Sequence, residues 1–420
     1  MDSKTYYGEY TLKHWIELML KQNIELPDYQ RSFVWRERDI RRLIKSLNEG
    51  QFVQPVTIAH YDDGMTSKNL ILDGQQRLTS ILLTFLGYIP NNEKFASSEN
   101  LSTGDDSTED DDSEDEVAKK SIGWTFRKIL DMNQNENDRD KIIARIEASN
   151  KYDKLNDILT DKNLDDFLEN TFLGFSYIIP NTTDAKIAQQ FFSNLFRNMN
   201  YLGIKLSPLE SRRSLYYLNS DYKNYFEGRT KNDADILCNI GIVENMQVGQ
   251  IDFVRYLSIL SQYTITNNIT KILVGYSAYS SRENYYADYV AYIVGLEQAD
   301  RIDKFNGFNI IDIFADNCWQ SRFEQIERYI RSIRDKIGLD NKREAFTSWI
   351  DADYWLFGLL YWVLFKGSTL SFEDKLLTDI SNAISNKKDD LYYAKAPNRL
   401  GNLRQRLQDS IDIYSHYAKK

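Results

Sequence analysis

The chain has 420 residues, a formal net charge of −10 and only two cysteines, Cys238 and Cys318. That length supports two or three domains with sizeable cores, while two distant cysteines exclude a disulfide framework and a thiolate zinc site and suit a reducing cytoplasm. Nine acids lie in one run from Asp105 to Glu116 and the remainder sums to −1, so the acidic balance does not exclude a nucleic-acid partner. The N-terminus lacks the apolar stretch of a secretory signal. The longest apolar run, the 12 residues Tyr354–Phe365, is too short to span a bilayer. The expectation is a cytoplasmic protein without a membrane segment. With 6 prolines and 19 glycines, it should be helix-rich.

In chain order, Thr11 can cap a first helix whose inner face is Leu12, Trp15, Ile16 and Met19. Ile24-Glu25-Leu26 alternates like a strand and is closed by Pro27. The loop Asp28–Trp35 is rich in polar and aromatic side chains, as recognition loops are, although Phe33 and Trp35 can equally be anchors. A helix from about Arg36 places Ile40, Leu43, Ile44 and Leu47 inward and stops at Gly50. Its outer face carries Arg38, Arg41, Arg42 and Lys45, interspersed with Glu37, Asp39 and Glu49. Such a stripe can track a phosphate backbone, or it is a solvated face, the commoner case. Val56–Ile58 and Leu70–Leu72 read as strands joined by a turn at Asp62-Asp63-Gly64.

The stretch Leu72-Asp73-Gly74-Gln75-Gln76-Arg77 then reads as strand, tight turn and helix start. Asp73 occupies the expected N-cap position, and Gly74 allows close backbone approach. Gln75, Gln76 and Arg77 fall in the first turn, where unpaired N–H groups and the helix dipole favour an anion. Two readings stand side by side: a phosphate site, or a capped helix whose Arg77 meets a structural carboxylate.

After this helix ends at Gly87, residues 92–120 lose nearly all apolar character and read as a disordered acidic insertion. Phe172–Ile179 reads as a strand and Ile187–Met199 as an amphipathic helix. Ser207-Pro208-Leu209-Glu210 forms a capping box that starts a helix reaching about Leu218. From about Ser220 the texture is helical, including a seam of Phe323, Ile326, Ile330, Ile333 and Ile337. The C-terminal Lys395, Arg399, Arg404 and Arg406 are a mildly basic, unspecific signal.

Three stretches in this order resemble the N-terminal domain of the GmrSD-type modification-dependent restriction systems: Leu26–Trp35, Leu72–Thr79 and, more loosely, Asn200 to Arg212, with Gly203, Leu206, Ser207 and Glu210 between. The resemblance spans about residues 10–220. That domain has a ParB/sulfiredoxin-like nucleotide-binding fold, shared with the phosphorothioate-sensing SspE-like defence proteins. It implies an α+β chain, with a small ParB/sulfiredoxin-like α/β domain at 1–220 and a mostly α-helical domain at 221–420.

The resemblance further implies an NTP hydrolase that uses a nucleoside triphosphate, with Mg2+ as companion ion. Asp73, Gln76 and Arg77 would carry catalysis. Tyr29, Gln30, Arg31, Gly74 and Gln75 would bind nucleotide, and Trp35, Asn200, Gly203, Glu210 and Arg212 are secondary candidates. Many relatives carry a C-terminal His-Asn-His nuclease. With only His14, His60 and His416, none clustered, the helical half cannot be one. The implied partners are therefore DNA, a separate nuclease chain and a second copy of this chain. The alternatives are a non-catalytic DNA-recognition module binding through Arg38, Arg41, Arg42 and Lys45, or a nuclease working through the ParB-like pocket.

Overall fold

The computed structural model describes the protein except at positions 1–2, 28–31, 63–66, 92–93, 96–123, 131–136, 156–157, 160–162, 183, 185–186, 189, 193, 196–207, 218, 231–239, 245–246, 273–278, 297–304, 309–317, 335, 338, 340–344, 372, 396–398 and 420. At 208, 210, 243–244, 247–250, 279–281, 392 and 395 the backbone alone is described. The chain is α+β, and the described residues fall into two units that divide between Leu218 and Asn219.

The first unit is built on a four-stranded sheet in the order β1-β6-β2-β3. Its strands are β1 (Ser3–Thr11), β2 (Val56–Asp62), β3 (Ser67–Asp73) and β6 (Phe172–Pro180); β4 (Tyr88–Pro90) and β5 (Tyr152–Lys154) form a separate pair. β6 runs antiparallel to β1 and parallel to β2, and β3 returns antiparallel to β2. The period of two sends Val56, Ile58, Ile71 and Leu173 into the main core. Ala59, Tyr61, Leu70 and Leu72 meet Ala188 and Phe192 in a smaller cluster.

The main core is closed by α1 (Leu12–Leu20), α2 (Glu37–Asn48), α3 (Gln75–Leu86), α4 (Arg139–Ser149) and α5 (Leu164–Asn170). Thr11 caps α1 by accepting from the His14 N–H at 3.1 Å, and Leu12, Trp15, Ile16 and Met19 are all buried. α2 buries Ile40, Leu43, Ile44 and Leu47 as its spacing predicts, each burial stabilising by about 1.5–3 kcal/mol. α6 (Pro208–Arg213) ends earlier than Leu218.

Several expectations needed correction. Before the Thr11 cap lies a strand without a local sequence signal, β1, held by nine residue pairs with β6, from Ser3–Pro180 to Thr11–Phe172. Ile24–Leu26 is not a full strand. It contributes a single parallel bridge in which Glu25 N–H donates to Asn69 O (2.8 Å) and Glu25 O accepts from Ile71 N–H (2.9 Å). The acidic segment lies outside the described residues apart from Lys94 and Phe95, and Phe95 is buried against Tyr152. The turn at Asp63–Gly64 and the loop tip Asp28–Arg31 also lie outside them.

The second unit contains α7 (Ser220–Glu227), α8 (Phe253–Thr266), α9 (Tyr279–Val294), α10 (Cys318–Ile333), α11 (Trp349–Leu360), α12 (Asp374–Asp389), α13 (Leu391–Lys395) and α14 (Leu400–Ser415). It also has a small three-stranded sheet of β7 (Gly241–Glu244), β8 (Gln247–Gln250) and β9 (Ala345–Phe346), which the helical texture concealed. The α10 seam is buried throughout, including Ile337 beyond the helix end. α11 is apolar nearly all round and continues as a π-helical turn, Tyr361–Phe365. None of the described helices is long and apolar enough to cross a membrane.

Asp353 sits in the middle of this unit with no exposed surface. Its Oδ1 accepts from Arg255 Nη1 (2.6 Å) and the Tyr256 hydroxyl (3.0 Å), and its Oδ2 accepts from Arg255 Nη2 and Arg406 Nε, both at 2.9 Å. The Arg255 guanidinium also lies 4.5 Å from the Trp349 ring centre. Arg404, the neighbouring cation on α14, donates to the carbonyls of Thr270 and Ile272. Arg404 and Arg406 of the mildly basic C-terminal stretch are thus engaged within the fold. Burial alone would raise the Asp353 pKa, but Arg255 and Arg406 outweigh it and hold the carboxyl below its ordinary value.

A depressed folded-state pKa gives stability that is full above the unfolded carboxyl value, near pH ~4, and is lost as pH falls through the folded value. Asp353→Asn should cost about 3–5 kcal/mol in urea unfolding at neutral pH, because two buried guanidiniums lose their counter-charge. The variant's unfolding free energy should also respond less to acid than the wild type's.

Candidate functional site

The motif sits where β3 turns into α3. Asp73 is the last strand residue, paired with Thr57 across a bulge in β2. Gly74, not Asp73, is the N-cap residue: it adopts φ 96°, and no side chain caps the helix. A Cβ at Gly74 would lie 2.9 Å from Val56 Cγ2, so glycine is required both for the left-handed backbone and for the approach to β2. The cap expectation for Asp73 fails because a left-handed residue intervenes and turns the chain before the first helical N–H groups appear.

The Asp73 carboxylate instead accepts from Arg77 Nη2 at 2.6 Å, one turn on. Arg77 Nη1 donates to the Gln54 carbonyl and, more weakly, to the Pro55 carbonyl at 3.4 Å. Arg77 is 10 % exposed and Asp73 41 %. In this arrangement the guanidinium anchors the segment entering β2, and Asp73 is the more open end of the pair.

Gln76 is engaged on the other side. Its Oε1 accepts from the N–H of Val34 (3.0 Å) and Trp35 (3.4 Å), and its Nε2 donates to Ser32 O (3.1 Å). Phe33 N–H between them donates to Trp124 O at 2.6 Å, and the Phe33 ring packs edge-on to Trp124. Residues 32–35 are therefore held by α3 and by the Trp124 backbone. Trp35 is half-buried against the main core. Gln75 is buried as well, so the first turn of α3 is covered by its own side chains and their partners.

The structure thus brings together Asp73, Gly74, Gln75, Gln76, Arg77 and Trp35. Tyr29, Gln30, Arg31, Asn200 and Gly203 lie outside the described residues. Glu210 is placed by its backbone alone in α6, and Arg212 is buried there. Sequence reasoning missed Ser32, Gln54, Pro55 and Trp124, which act through backbone atoms and leave no residue-type signal.

On α2, Arg41 donates to Glu37 Oε1 at 2.8 Å and Lys45 lies 3.7 Å from Glu49. Arg38 lies 3.6 Å from Asp39, and Arg42 is exposed. The stripe is laced with its own acids, the arrangement of a solvated face, in which such pairs add little stability.

No group of three His, Cys, Asp or Glu among the described residues could hold a metal ion. That is compatible with Mg2+, which binds through one carboxylate together with substrate phosphates and water. Asp73, as the exposed carboxylate of the motif, is the residue that would hold it.

Arg77→Met should cost about 1–2 kcal/mol in urea unfolding, since the Gln54 carbonyl and the Asp73 carboxylate lose their donor but still meet water. Gly74→Ala should cost about 2 kcal/mol or more through its positive φ and the Val56 clash.

The "Uncharacterized protein MJ0686" of Methanocaldococcus jannaschii is 38% identical over 89 residues, covering 16% of this chain and only 15% of that protein. No solved structure matches the chain. Residues 14–217 match the family model of the GmrSD restriction endonuclease, N-terminal domain, and this match supports a GmrSD-type domain in the N-terminal part of the chain.

Proposed function

We propose that this protein is a nucleotide-binding and NTP-hydrolysing component of a DNA-modification-dependent restriction or defence system. The observation that carries the reading is the match of residues 14–217 to a restriction endonuclease N-terminal domain, with the Asp73–Arg77 motif at an uncapped helix start inside it. The dipole of the 12-residue helix, whose N-terminus has no capping side chain, favours negative charge at that end. Gly74 lets the turn lie against Val56 there.

In this reading the residues divide the labour. Gly74 and Gln75 supply backbone N–H groups to the phosphates. Asp73, held in orientation by Arg77, is the carboxylate that would orient the attacking water and, with the phosphates, would hold Mg2+. Mg2+ would supply charge neutralisation on the phosphoryl oxygens. Arg77 adds positive charge beside the same site. The resemblance further implies that Tyr29, Gln30 and Arg31, which lie outside the described residues, would bind nucleotide. DNA is the macromolecular partner that a restriction domain implies, and cleavage belongs to a separate nuclease chain.

Turnover of ATP and of GTP by the full chain, with Mg2+, tests this reading. Asp73→Asn keeps the shape of the side chain but removes its charge, and should lower kcat at least about a hundredfold. Equal turnover by wild type and variant would remove the site assignment. A wild type that neither binds nor hydrolyses any nucleoside triphosphate would remove the function.

A further inference from the structure

The residue type of Gln76 suggests a group that aligns a water molecule, yet both ends of its carboxamide already face backbone. Val34 and Trp35 N–H can only donate and Ser32 O can only accept, so the partners themselves fix which end is oxygen and which is nitrogen. The side chain thus reproduces, from a helix, the donor and acceptor pattern of a neighbouring strand. It is buried, so these bonds compete little with water. The residues it holds lead straight into α2, where the Arg36 N–H donates to Asp39 Oδ2 at 3.1 Å and fixes the helix start.

We propose that Gln76 is a positioning residue, not a catalytic one. It clamps Ser32–Trp35 in register against the first turn of α3, and so sets the placement of the loop that precedes α2. The consequence for nucleotide affinity rests on the nucleotide-site reading above; the clamp itself does not.

Two variants of the full chain test this. Gln76→Met removes every hydrogen bond of the clamp at similar volume. Phe33→Leu loosens the same loop from its Trp124 side and leaves Gln76 untouched. Hydrogen exchange at the Val34 and Trp35 amides should accelerate at least about tenfold in Gln76→Met, since these half-buried amides lose their acceptor. With ATP or GTP as substrate, KM should rise about tenfold in both variants while kcat stays within about threefold. The double variant should show less than the product of the two effects, as coupled sites do. A collapse of kcat in Gln76→Met alone, with the two amides still protected, would overturn the proposal and make Gln76 catalytic. If the wild type shows no turnover, the nucleotide reading fails. The exchange arm then decides by itself, unchanged protection of Val34 and Trp35 in Gln76→Met refuting the clamp.

Discussion

The N-terminal unit depends on one adjacency: two neighbouring side chains in the first turn of α3 reach backbone on opposite sides. Gln76 takes Ser32, Val34 and Trp35, just before α2; Arg77 takes Gln54 and Pro55, just after it. The whole α2 segment is thereby held at both ends by one helical turn. Backbone groups taken partly out of water need partners, and here side chains supply what a strand would have supplied. Gly74 makes this possible. Its left-handed φ and missing Cβ let the turn lie against Val56, close enough for Arg77 to reach the carbonyls ahead of β2.

This arrangement changes how the motif works as a site. A cation aimed at phosphate would be expected to stand open, but Arg77 is mostly buried and divided among a carboxylate and two carbonyls. In the proposed function its contribution would be preorganised charge together with orientation of Asp73. Preorganised charge of this kind costs no rearrangement when negative charge develops on a substrate. The carboxylate open to solvent is that of Asp73.

The second unit solves a different problem with the same residue type. Arg255 and Arg406, 151 positions apart, converge on Asp353 at the centre of a helical core rich in tyrosine. Their charges are tolerable there because each guanidinium finds a carboxylate, a hydroxyl or an aromatic face. Tyrosines also line this interior, where hydroxyls bond one another, as Tyr225 does with Tyr289 at 2.8 Å.

Helical periodicity in the sequence alone located α1, α2 and the α10 seam, because burying one face of a helix demands apolar residues at fixed spacing. The strand–turn–helix at Asp73–Arg77 was equally legible, since glycine before an amphipathic run has few other uses. The sequence left Arg77 with two readings, phosphate ligand or partner of a structural carboxylate, and tertiary structure placed it on Asp73 and the Gln54 and Pro55 carbonyls. β1, the β7–β8–β9 sheet and the Asp353 cluster were hidden, because pairing between distant segments leaves no local period. The role of Gln76 was hidden for a related reason. Its partners are main-chain atoms, identical in every residue, so only the folded chain could decide which side chain they meet.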